Sequence, residues 1–200
     1  MLAELRSQQQ NTFPGAGILQ ELDNTNAFPR NARTLGLISP MLLEQCVSFY
    51  FASIYPLQPV LQQGHVHEAV VEVDVSAEAC RMVLTLCACT MIQTDTEVLF
   101  NPLGRPETVR TGRALLEESC RLQSVYDYRQ NPTHRTILTS WFSYACYLEL
   151  GELSAAWCHL REATTQALLL RMHDEATYRL DPEGALQKRA LYWLLFVAER

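Results

Sequence analysis

His65 and His67 stand two apart with Glu68 beside them, the spacing of a metal pair presented by one face of a strand. No further ligand lies near them in sequence. Gly64-His65-Val66-His67 therefore reads as an exposed turn and not as a metal centre. Cys80, Cys87 and Cys89 form C-x6-C-x-C on an apolar stretch. Zinc sites gather thiolates at shorter, loop-borne spacings, and no CxxC occurs. Cys158 precedes His159, but adjacent helical residues point about 100° apart, so the two make no nucleophile–base dyad. Glu117 and Glu118 fail as paired carboxylates by the same geometry, and Asp127 and Glu149 have no evident partner. Neither GxxxxGK[ST] nor GxGxxG is present. No catalytic, cofactor-binding or metal-ligating residue is assigned, no cofactor is expected, and the chain is not expected to be an enzyme. Trp141, Trp157 and Trp193 read first as core aromatics; the alternative is a ligand cavity in which a sugar stacks on an indole.

The elements that would hold these residues are helical. Ser39-Pro40 is a helix start, with Ser as N-cap and Pro at the first helical position. A stripe through Leu42, Leu43, Cys46, Val47, Tyr50, Phe51 and Ile54 follows, and Tyr55-Pro56 ends it. Leu57 to Leu61 is expected to be extended, and Glu68 to Val75 a connection more than a strand. Asp74 or Ser76 caps a helix with Glu78 in its first turn; Cys80, Val83, Leu84, Cys87 and Met91 mark its buried face, and its other apolar residues place it deep. After the loop signal Asn101-Pro102-Leu103-Gly104-Arg105-Pro106, a helix opens at Pro106-Glu107 and runs to about Tyr128. Another runs from Thr133 or His134 to Leu150, turns at Gly151 and returns from Glu152 along Ala156, Leu160, Ala163 and Ala167. That unit is an antiparallel helical hairpin. Tyr178 to Glu183 is a loop that restarts the chain.

The final stretch, Gln187 to Arg200, is apolar or aromatic at every position from Ala190 to Ala198. Such a run is too short to cross a bilayer, which needs about 20 residues. It predicts a helix buried on most of its sides. No Gly or Pro stops it, so the domain is expected to continue past Arg200, leaving a face of this helix uncovered and sticky.

The 200 residues fit one domain, and 48% hydrophobic with 19% charged is a core-forming composition. The net charge of −6 gives no long-range attraction to phosphate backbones. Seven cysteines, an odd number, lie mostly on apolar faces and read as reduced thiols of an intracellular protein. Residues 1–38 are polar and aperiodic, a tail or linker.

Two pieces carry a family resemblance. Lys188-Arg189-Ala190-Leu191-Tyr192-Trp193-Leu194-Leu195-Phe196-Val197-Ala198-Glu199-Arg200 resembles a hallmark segment of the fungal-specific transcription factor domain, the helical middle region of zinc-cluster regulators, maltose and amylolytic activators above all. Phe49-Tyr50-Phe51-Ala52-Ser53-Ile54-Tyr55-Pro56-Leu57-Gln58-Pro59-Val60-Leu61 is similar to that domain's opening, in the family's order. The zinc-cluster module, with six closely spaced cysteines, is absent from this sequence. The resemblance implies an all-α, irregular multi-helix bundle over 39–200, containing the hairpin above and truncated at its C-terminal end. It implies the regulatory portion of a nuclear fungal transcription regulator, with cytoplasm the other location for a chain lacking a basic targeting segment. Such a chain would act through protein partners of the transcription machinery or a full-length paralogue, and through a sugar-like effector, without direct DNA or membrane binding. The second reading is a stand-alone helical interaction module of the tetratricopeptide kind; a small enzyme ranks third.

Overall fold

The computed structural model describes residues 38–93, 104–124, 131–179, 182 and 184–200. Among them every regular element is helical, so the fold is all-α. The predicted tail over 1–38, save its last residue, the polar end at Thr94 to Thr96, the loop at Asn101 to Leu103 and the helical extension through Val125 and Tyr126 lie outside the described residues, as does Asp127.

Helix α1 spans Pro40–Phe49 and continues as one π-helical turn, Tyr50–Ile54. Ser39 Oγ accepts the Leu42 N–H at 3.2 Å, the predicted cap. Cys46, Tyr50 and Ile54 form the buried edge, spaced four apart. Helix α2 spans Gln63–Val71. This corrects the expected turn at Gly64 to His67 and the expected connection from Glu68. Val66 and Ala69 bury one side of it at helical spacing, which outweighs the turn signal of a Gly64 that is not at positive φ.

Helix α3, Ala77–Gln93, is the centre of the described bundle. Every residue from Ala79 to Ile92 is buried, and α1, α2, α4 and α5 pack around it. Ser76 Oγ accepts the Ala79 N–H at its start. Helix α4, Gly104–Gln123, begins two residues before Pro106. It approaches α3 closely at Gly112, where a β-carbon would lie 2.9 Å from Ile92 Cγ1 and 3.3 Å from the Ala88 carbonyl oxygen. Helices α5, His134–Glu149, and α6, Leu153–Leu169, form the expected hairpin. Thr133 caps α5 through a reciprocal box with Thr136, and Gly151 takes φ 75° in the turn. Ala156, Ala163 and Ala167 are buried and bring α6 in close. A short helix α7, Glu175–Arg179, occupies part of the stretch expected to be a loop.

Helix α8, Ala185–Ala198, corrects the strongest sequence expectation. It is not wrapped: Gln187, Leu191 and Leu195 form a single buried stripe against α5 and α6. Trp193 is 59% exposed. An unbroken apolar run spells the same sequence for a helix covered all round and for one with two apolar faces, only one of which is covered here.

Several polar groups inside this core are matched. Arg81 is buried on α3, and its Nε donates to the Ser119 carbonyl of α4 at 3.1 Å. Thr85 and Ser119 hydroxyls meet at 2.8 Å. Glu162 on α6 accepts from Ser140 at 3.1 Å and from Gln123 at 3.3 Å. Burial raises the Glu162 carboxyl, against the opposing pull of Arg81. The His159 ring stacks on Tyr147 at 5.3 Å, beside this cluster.

Candidate functional site

The outer face of α8 is the most distinctive surface among the described residues. Trp193, Phe196 and Val197 share it at i, i+3 and i+4 and are exposed by 59%, 39% and 66%. The Trp193 and Phe196 rings meet edge to face at 5.5 Å, and the Arg200 guanidinium lies 4.5 Å over the Phe196 ring. On α6, Leu153 and Trp157 are also exposed. Arg161, one turn beyond Trp157, pairs with Glu199 of α8 at 2.9 Å and ties the two helices together. Trp157 and Phe196 each lie about one turn from that pair on their own helix. The result is exposed aromatic surface beside a charged pair.

Trp141 has a different fate. It is 5% exposed, leans on Tyr144 at 5.3 Å, and its indole N–H donates to Gln58 Oε1 at 3.3 Å. The Gln58 backbone carbonyl accepts from the Tyr50 hydroxyl at 3.4 Å. Tyr50 also meets Phe142 edge-on at 5.8 Å, and burial raises its phenol. The Tyr-Pro-Leu-Gln-Pro stretch is thus a structural strap that satisfies two buried aromatics. The three tryptophans do not line a shared cavity: one is core and two are on the surface.

The histidine pair is also split. On α2, positions two apart point to opposite sides. His65 meets the His134 ring of α5, with centroids 6.3 Å apart. His67 borders a separate groove of about 550 Å3 between α1 and α2, floored by Leu43, Val47, Phe51, Val66 and Val70. Cys80, Cys87 and Cys89 are buried on α3. Burial pushes the Cys80 thiol up to about 12, away from the thiolate a metal needs. No group of three metal-ligating side chains gathers among the described residues, and no described helix is long and apolar enough to cross a membrane. His159 lies 3.5 Å from Glu162, a contact that alone favours the imidazolium. Burial, and then the Arg81 charge, outweigh it and lower His159 to about 4. Cys158 is exposed while His159 is part-buried, so the neighbours face apart. Sequence reading expected an uncovered face on this helix but did not place Trp193, Phe196 and Val197 on it, because hydrophobicity alone does not say which side is covered.

No family model matches the chain, and no solved structure matches it. The chain is 32% identical over 159 residues to the Candida albicans protein named "Probable sucrose utilization protein SUC1". The alignment covers 79% of this chain and 31% of that relative, so the chain spans about a third of the relative's length. Most of the chain is thus similar to part of a probable sucrose utilization protein of a fungus.

Proposed function

We propose that this chain is the regulatory portion of a fungal transcription regulator of sugar utilisation. It works in the nucleus through protein contacts and a sugar-like effector, and it performs no catalysis. The observation that carries the reading is the uncovered aromatic face of Trp193, Phe196 and Val197. Surfaces of this kind, enriched in Trp and Phe with Arg close by, are where binding energy concentrates. The sequence resemblance at Lys188 to Arg200 and the name of the Candida relative support the transcriptional and sugar-related parts. With a net charge of −6 and no zinc-cluster sequence, the chain leaves DNA docking to a partner or to another part of a longer protein.

The test fuses the chain to a heterologous DNA-binding domain in a fungal host carrying a reporter. The fusion is expected to change reporter output several-fold. Trp193→Asp with Phe196→Asp is expected to return it to baseline while helicity is kept. Output equal to that of the DNA-binding domain alone overturns the proposal. In mobility-shift assays the chain by itself is expected to shift no specific duplex, and a salt-resistant specific complex would contradict it.

A further inference from the structure

Along α8 the residues turned away from the bundle repeat at intervals of four, three and four: Leu186, Ala190, Trp193 and Val197. At 100° per residue they share a strip about 60° wide. The buried stripe of Gln187, Leu191 and Leu195 lies on the far side of the helix. Leu186, Trp193 and Val197 are exposed and Ala190 is part-exposed. Alternating steps of three and four are the spacing of a coiled-coil seam, whose apolar side chains fill holes on a facing helix. This seam carries no charge. Its members differ in size, with a tryptophan three residues from an alanine. Arg189 flanks it and is neutralised within the chain by Glu175 at 2.6 Å, while Arg200 lies over the Phe196 ring.

We infer that this seam packs against the same seam of a second copy of the chain, antiparallel and about a two-fold axis. Side-chain size selects the direction. A parallel pair would set Trp193 against Trp193 and Ala190 against Ala190, a bulge beside a gap. The antiparallel pair sets Trp193 against Ala190 of the second copy and Leu186 against Val197, and the dyad repeats both layers. The same register sets Ala185 opposite Ala198, the first and last residues of α8, so the two helices overlap along their whole length. An isologous contact brings like groups together near the dyad. The residues nearest it, Ala190 to Trp193, are uncharged, so no like charges meet there. The exposed parts of Leu186, Trp193, Phe196 and Val197 offer on the order of 500 Å2 per copy, so these side chains alone let two copies reach the roughly 1,000 Å2 expected of a biological interface. The inference rests on the reading of this face as a protein-contact surface and names its partner.

The experiment uses the full chain carrying Cys158→Ser, which removes the exposed thiol. Sedimentation equilibrium over roughly 1–100 μM is expected to show monomer and dimer and nothing larger. Leu186→Cys and Val197→Cys chains, mixed under oxidised glutathione, are expected to join as a disulfide-linked heterodimer. Either variant alone should crosslink far more slowly, because the register puts its two thiols about 16 Å apart along the helix axis. Ala190→Phe, checked for unchanged helicity, adds apolar surface yet is expected to weaken the dimer tenfold or more, because the partner's Trp193 loses its space. A monomer throughout, open-ended aggregation, single variants that crosslink as fast as the mixture, or Ala190→Phe chains that associate as tightly as the parent would overturn the inference. A monomer whose DNA-binding fusion still drives the reporter removes the second copy alone and leaves the face to a different protein. A dimer whose fusion is silent removes the transcriptional reading alone.

Discussion

Two residues turn the buried interior into measurable behaviour. His159 titrates near 4 in the folded chain, below its ordinary 6.5. Between those values the unfolded chain takes up a proton that the native state refuses, so stability rises with pH there. The contribution is complete above about pH 6.5 and is lost as pH falls toward 4. Glu162 runs the other way: its raised carboxyl makes the native state hold a proton longer, which favours the fold on acidification through the carboxylate range. Urea midpoints are therefore expected to fall from pH 7 to 5.5, and His159→Gln to flatten that slope, by up to about 1.4 kcal/mol per pH unit. A variant that keeps the parent's pH dependence would remove His159 as the cause. The cysteines give a second readout. Cys158 is exposed, Cys120 is part-buried within 3.5 Å of the Tyr147 hydroxyl, and Cys46, Cys80, Cys87, Cys89 and Cys146 are buried. A thiol reagent is expected to modify Cys158 at once and the rest only on unfolding, and Cys158→Ser to abolish the fast phase. Several fast thiols would mean a looser core. At this scale the sequence was a good guide to most of the cysteines, as apolar-face thiols, but it could not show that His65 would find His134, because that meeting joins helices far apart in the chain.

Helix by helix, the local signals that proved legible were those with a mechanism in adjacent residues. Ser39-Pro40, Thr133 and Gly151 place caps and turns through hydrogen bonds and backbone conformations that need no tertiary partner. The depth of α3 was legible as well, because apolar or small residues occupy all its sides. The α2 helix and the π turn were not: Gly64 and two histidines disguise the first, and the second leaves no trace in hydrophobic spacing. Nor was the packing of α4 on α3 at Gly112, which depends on the neighbour's Ile92 and the Ala88 carbonyl. Gly112→Ala is expected to destabilise despite a helix-propensity gain of about 1 kcal/mol, since prising two packed helices apart costs about 1–3 kcal/mol. Gly112→Val should be worse. An unchanged or raised urea midpoint for the alanine variant would show that the two helices part easily.

The described helices form a bundle around α3, and α8 carries Trp193 and Phe196 on its outer face. The aromatic face bears on solution behaviour too. The chain is expected to bind an apolar dye or self-associate, and Trp193→Asp with Phe196→Asp to suppress both; a dye-silent monomer would contradict the face as a docking surface. The π turn at Tyr50–Ile54 has a consequence of another kind. It closes with the Tyr55 N–H reaching back five residues to the Tyr50 carbonyl at 2.8 Å, so it houses one residue more than an α-helix would. Ala52 and Ser53, both exposed, are the positions at which that one surplus residue can be removed. Deleting either one lets the turn relax to ordinary pitch while Cys46 and Ile54 keep their directions, and the fold should survive. The same deletion inside α3 would rotate everything beyond it by about 100° and ruin the core. Length variation is thus tolerable at that one spot of an otherwise register-locked helix, as it would be where a codon had once been inserted.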